Sequence, residues 1–165
     1  MRKYICLSSL LLLQLICISQ EKKENKTKIV AGLAGPELLH VGITQRLANT
    51  NQLGFSAGLG PSSGSLWAAL SLQHRLYIGK NDSRTSQKTW FLRQGTTFFP
   101  QGSNGQKFTF NFTAGKDIPS KKNSANGITI DAGFFYLDNS ESSSLMLIRS
   151  LNLWPALRFQ LYFGI

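Results

Sequence analysis

The chain has 165 residues, 42% of them hydrophobic and 11% aromatic, and carries a formal charge of +10 at pH 7. That length suits a single domain, and two cysteines with two histidines are too few for a disulfide framework or a metal centre. The basic residues are scattered, with no arginine-rich helix and no aromatic reading motif, so nucleic acid is not indicated as a partner.

Met1-Arg2-Lys3 is followed by an apolar run from Ile5 to Ile16 and then by Cys17-Ile18-Ser19-Gln20. A basic start, a short apolar core and small residues ahead of the cut predict a cleavable signal peptide over residues 1–19. The run is shorter than the roughly 20 residues that a spanning helix needs. Lipidation at Cys17 is the weaker alternative, because Ile16 is branched where that processing requires a small residue. Both cysteines, Cys6 and Cys17, fall in the removed segment, and loss of Arg2 and Lys3 takes the formal charge from +10 to +8. Residues 20–26 are expected to be a flexible N-terminal segment, with lysines interleaved among Glu21 and Glu24, and residues 27–165 the folded domain.

Thr27 to Gly35 is β-leaning and glycine-punctuated, ending at the turn signal Gly35-Pro36-Glu37. Leu39, Val41 and Ile43 then alternate with His40, Gly42 and Thr44 up to Arg46, which predicts a strand with one apolar face. Leu53, Phe55, Ala57 and Leu59 alternate with small residues, and after Gly60 to Gly64 the pattern resumes as Leu66, Ala68, Leu70 and Leu72 opposed by Trp67, Ala69, Ser71, Gln73 and Arg75. Lys80 to Lys88 is expected to be a loop. Thr89 to Phe98 is a strand whose facing alternation alone does not fix; an inward Arg93 is preferred, since a charge at mid-depth on a lipid face costs about 2–4 kcal/mol.

Phe108, Phe110, Phe112 and Ala114 alternate with Lys107, Thr109, Asn111, Thr113 and Gly115, the strongest period-two pattern in the chain. Lys116 to Asn126 reads as a charged loop. Ile128, Ile130, Ala132, Phe134 and Tyr136 then oppose Thr129, Asp131, Gly133 and Phe135. After a polar linker and the period-free stretch Leu145 to Leu153, Pro155 to Ile165 alternates to the end, with Leu157, Phe159, Leu161, Phe163 and Ile165 on one side.

No segment has the spacing of an amphipathic helix, so the fold is expected to be all-β. An exported chain with no helical span beyond its leader can reside in a membrane only as a closed barrel, because hydrocarbon offers unpaired backbone groups no partner. The predicted architecture is an eight-stranded antiparallel up-and-down transmembrane β-barrel. The connections near Gly35, Pro61, Pro100 and 138–154 would then face outward from the cell, and the two ends of the chain the periplasm. If Leu145 to Ser150 is a strand and Thr27 to Gly35 is not, every connection changes sides.

Leu38-Leu39-His40-Val41-Gly42-Ile43-Thr44-Gln45-Arg46-Leu47, Leu53 to Gly60, and Trp154 to Gly164 together resemble small outer-membrane β-barrel proteins of Gram-negative bacteria, in the broad OmpA/OmpX-like eight-stranded class. The resemblance covers nearly all the mature chain, though glycine-rich strands and a terminal aromatic strand are generic motifs. It implies residence in the bacterial outer membrane, contact with its lipid, and reading of the last strand by the barrel-assembly machinery, with Phe159, Leu161, Phe163 and Ile165 as the insertion signal. Most relatives end on Phe, whereas here the aromatic stands at Phe163 and the last residue is Ile165.

Inside the barrel, Arg46, Arg75, Arg93 and Arg158 are expected, with Asp131 as the lone acid. Eight strands leave room only for side chains, so a polar network is expected and a channel of useful bore is not. An anion or lipid-phosphate site near Arg46 and Arg158 is the sharper reading of the arginine excess, and hydrated arginines near the open ends the plainer one.

His40 with Asp131 and a serine could in principle serve a lipid-modifying enzyme, but no spacing signature singles them out; His40 is expected to face the pore and His74 to sit at rim level. Trp67, Trp90, Trp154, Tyr77, Tyr136 and Tyr162 are candidates for interfacial aromatic belts, with Trp67 and Tyr162 also fitting interior parity. No cofactor or metal is indicated. The expected role is that of a non-enzymatic outer-membrane barrel, structural or surface-interacting. The alternative is a soluble exported, calycin-like barrel carrying a small ligand, which would put Phe108, Phe110, Phe112, Leu157, Phe159 and Leu161 inside.

Overall fold

The computed structural model describes residues 26–35, 37–62, 65–83, 86–100, 107–137 and 153–165. The predicted leader and Leu145 to Ser150 lie outside these residues. Eight strands follow one another: β1 (Lys26–Ala34), β2 (Leu39–Arg46), β3 (Asn51–Ser62), β4 (Ser65–Asn81), β5 (Lys88–Phe99), β6 (Lys107–Pro119), β7 (Gly127–Leu137) and β8 (Leu153–Gly164). Each pairs antiparallel with the next, and β1 pairs with β8 from Lys28 opposite Gly164 to Ala34 opposite Arg158, which closes the barrel. The segment predicted at Thr27 to Gly35 therefore supplies the strand that completes the cylinder.

The stagger of the closed sheet can be read from the pairing. One row of partners runs from Lys28 through Thr44, Gly54, Gln73, Gly95, Asn111 and Phe135 to Trp154. Lys28 itself pairs with Gly164, so the circuit returns ten residues displaced along β8. With a rise of about 3.3 Å per residue and strands about 4.8 Å apart, this stagger tilts the strands about 40° from the axis, within the range of closed barrels.

Period-two alternation sorts the side chains by polarity, in the inverse of a soluble protein's order. Among the described residues, 23 buried side chains are polar or charged and nine are hydrophobic, whereas Val41, Phe55, Leu72, Trp90 and Leu157 are each more than half exposed. Phe108, Phe110, Phe112, Phe159 and Leu161 are exposed on the outer wall as well.

Two strands run further than the sequence predicts. β4 continues past Arg75 to Asn81, with a register shift between Ile78 and Asn81. Gly79 lies there at a φ of 81°, a left-handed conformation open to glycine and suited to a bulge. β6 continues past Gly115 to Pro119, so the expected charged loop starts only after Pro119. The charges that suggested a loop obey the strand period: Asp117 turns inward after Thr113 and Gly115, and Lys116 outward after Ala114.

Gly115 shows how full the interior is, for a methyl added there would enter the space of the Asp131 Cβ and the Phe91 ring. Gly115→Ala is expected to lower the unfolding free energy by about 1–3 kcal/mol through overpacking. Ala57→Val, on the exposed wall, should change it by less than about 0.5 kcal/mol; urea titration of the folded barrel compares the two.

Candidate functional site

The polar interior is the candidate site, and among the described residues three buried arginine–carboxylate pairs organise it. At the centre, Arg93 of β5 reaches Asp131 of β7, Nη2 to Oδ1, at 2.8 Å. Its Nε donates to Thr113 Oγ1 at 3.1 Å and its Nη1 to Asn111 Oδ1 at 3.0 Å, so β6 holds the guanidinium between the two strands. Arg158 of β8 reaches Glu37, Nη2 to Oε2, at 2.9 Å and donates from Nη1 to Gln73 Oε1 at 3.0 Å. Arg75 of β4 faces Asp117 of β6, Nη1 to Oδ1, at 3.5 Å and donates from Nη2 to Gln160. Asp117 also accepts from Tyr77 at 2.7 Å and from Thr129 at 2.6 Å.

Asp131 is thus not the lone interior acid. Glu37, at the start of the turn into β2, and Asp117, in the extended part of β6, are buried beside it. The expected excess of arginine becomes three arginine–carboxylate pairs, the arrangement a low-dielectric interior demands.

Arg46 differs from the other three. Its Nη2 donates to the carbonyls of Asn49 at 3.2 Å and Lys88 at 3.1 Å, its Nη1 to Gln87, and its guanidinium stacks 4.1 Å from the Tyr77 ring centroid. It clamps the 47–50 turn to the start of β5. Nη1 and Nη2 of both Arg46 and Arg158, the residues considered from sequence for an anion site, are engaged in this way by protein groups.

His40 lies inside, its Nε2 2.7 Å from Gln160 Nε2, while Asp131 is bonded to Arg93. His40 Nδ1, Thr44 Oγ1 and Ser56 Oγ have no protein partner. His40, Asp131 and a serine are therefore not linked as a catalytic relay in this structure. Among the described residues no group of three His, Cys, Asp or Glu side chains is gathered as metal ligands.

His74 is not at the rim. It lies mid-strand with outward parity, between the exposed Leu72 and Leu76. Its Nε2 is 3.0 Å from Asn51 Oδ1 and its Nδ1 3.3 Å from Gln94 Nε2. A short polar chain thus crosses β3, β4 and β5 within the apolar wall.

The aromatic side chains divide. Trp90 is exposed on the outer wall, whereas Tyr77 and Tyr162 are buried inside, Tyr77 packing edge-on against Phe91 with ring centroids 5.6 Å apart. Tyr77 was expected at an interface, but it shares the inward parity of Arg75 and is drawn in by Asp117. Trp154 stacks on Phe135 at 6.2 Å, and the Trp67 side chain lies outside the described set.

No family model, no curated protein and no solved structure matches the chain. What it shares with the OmpA/OmpX-like class is architecture: eight antiparallel, up-and-down strands in a closed barrel.

Breaking one ion pair should cost far more than replacing both partners. Asp131→Asn leaves the Arg93 charge buried and is expected to lower unfolding free energy by about 3–5 kcal/mol, whereas Arg93→Met with Asp131→Leu should recover most of that loss. Equilibrium unfolding of the two variants makes the comparison.

Proposed function

We propose that the chain is an outer-membrane β-barrel protein of a Gram-negative bacterium with a structural or surface-interaction role and no enzymatic activity. It would be exported through the cleaved leader at residues 1–19 and inserted by the barrel-assembly machinery, which would read Phe159, Leu161, Phe163 and Ile165 on β8. The observation that supports this reading best is the inverted partition, with ion pairs inside and a largely apolar wall outside. Each large apolar side chain on that wall would gain on the order of 1 kcal/mol on leaving water for hydrocarbon.

The dimensions agree. Phe108 and Ile118, ten residues apart on the outer face of β6, stand about 25 Å apart along the axis at the tilt found above, close to the height of the apolar band of transmembrane barrels, with the outward Lys116 near its lower edge. A water-filled pore is not part of the reading, since Arg93, Arg158, Gln160 and Asp131 are buried across the middle of the cylinder. The soluble, ligand-carrying alternative requires the Phe108, Phe110, Phe112 and Leu157 face inside, where instead the ion pairs lie.

Cell fractionation with heated and unheated gel samples tests the proposal: the protein should sediment with the outer membrane and migrate differently when unheated. Recovery in the soluble periplasm without a heat-dependent shift would overturn it. Leu72→Arg, at mid-wall, should reduce insertion into vesicles by about 2–4 kcal/mol, whereas in a soluble barrel the same change would be tolerated.

A further inference from the structure

One end of the barrel, carrying the 47–50, 82–87 and 120–126 connections, is basic on its outside: Lys80, Lys116, Lys121 and Lys122 are exposed. Trp90, 54% exposed on the outer wall, lies beneath Lys116, whose Nζ is 5.0 Å from its ring centroid. A lysine laid over an outward tryptophan is the pairing expected near the level at which hydrocarbon would give way to headgroups.

At that level a cleft of about 640 Å³ opens between 82–83 and 116–124. Lys116, Lys121 and Lys122 line it together with the hydroxyl residues Ser120 and Ser124. Two acids, Asp82 and Asp117, also line it, Asp117 already engaged by Arg75, Tyr77 and Thr129, so the three lysines outnumber the carboxylates. Lysine, a compact point charge with three donors, suits phosphate oxygens that serine hydroxyls can also contact.

We propose that this cleft binds the phosphate of an anionic glycerophospholipid in the leaflet at this end of the barrel. The inference rests on the membrane-barrel reading and deepens it by naming the lipid chemistry and the side chains that meet it. The leaflet is argued from the topology: the longest connection, 138–152, lies at the opposite end, while β1 starts and β8 finishes at this one, an arrangement that in outer-membrane barrels puts this end at the periplasm, where the lipids are glycerophospholipids.

The test folds the full chain into phosphatidylcholine vesicles containing either brominated phosphatidylglycerol or brominated phosphatidylcholine and reads quenching of tryptophan fluorescence. Heat-dependent gel migration scores insertion in every sample. Inserted wild type should prefer phosphatidylglycerol by roughly fivefold or more, weakening in high salt, since a lysine near an anionic surface contributes about a fivefold factor. Changing Lys116, Lys121 and Lys122 together to Gln should bring the preference close to one, and changing the three to Arg should keep it.

An inserted wild type without preference, or a Gln variant that retains it, would overturn the inference while leaving the barrel reading intact. Loss of the preference on adding millimolar inorganic phosphate would assign the cleft to free phosphate and overturn the lipid. Failure of the wild type to insert at all overturns the membrane-barrel reading and this inference with it.

Discussion

Pairing of β1 with β8 is the constraint from which the remaining geometry follows. Without it, both strands would present a row of unpaired backbone groups; with it, every strand has two neighbours and the sheet has no edge. A closed sheet of eight strands with a stagger of ten residues has a fixed tilt and a narrow bore. Side chains must fill that bore without colliding, which explains why small residues stand beside long ones. Gly54 leaves room for the Gln73 side chain, and Gly115 for Asp131 and Phe91.

A narrow bore also dictates how the charges can pair. A guanidinium reaches past a neighbouring strand along the inner wall, so Arg158 on the last strand meets Glu37 before the second, 121 residues away, and Arg93 spans β6 to meet Asp131. Such pairs are weak as a source of net stability, because desolvation offsets much of the attraction. Their contribution to register is clearer. If both faces of the strands were apolar, a slip of one residue would exchange like for like; with arginine and aspartate on one face and phenylalanine on the other, the same slip would turn buried charges onto the outer wall.

The sequence carried the alternating strands because each residue's face depends only on its parity. Phe108 to Ala114 and Leu157 to Ile165 needed nothing further, and Arg93 oriented β5 through the cost of the opposite choice. Asp117 was legible by the same rule, since Thr113, Gly115 and Asp117 continue one face, but its charged neighbours Lys116, Lys121 and Lys122 resembled a loop. Glu37 was not legible. It lies in the turn after β1, outside any alternation, and its partner is set by the β1–β8 closure rather than by local sequence. Tyr77 was misassigned because an aromatic near a strand end fits an interfacial belt as well as an interior acceptor, and only the fold supplies Asp117.

The two histidines show how the same side chain is accommodated on opposite faces of one sheet. On the outer wall, Gln94 can donate to His74 Nδ1 while His74 donates from Nε2 to Asn51 Oδ1, so the neutral ring with its proton on Nε2 satisfies both contacts. A polar chain of this kind can sit in an apolar wall, because neither imidazole nitrogen is left unpaired among the apolar side chains. Inside, Gln160 can donate to His40 Nε2, which leaves the proton on Nδ1, an atom without a protein partner, as are the Ser56 and Thr44 hydroxyls elsewhere on the inner face. The inner face is polar enough to offer such groups water in a way the outer wall is not. The outer face thus tolerates polarity where side chains close the chain of donors and acceptors among themselves, whereas the inner face can leave donors to solvent; this difference is what permits a barrel to be polar at its centre and apolar at its surface.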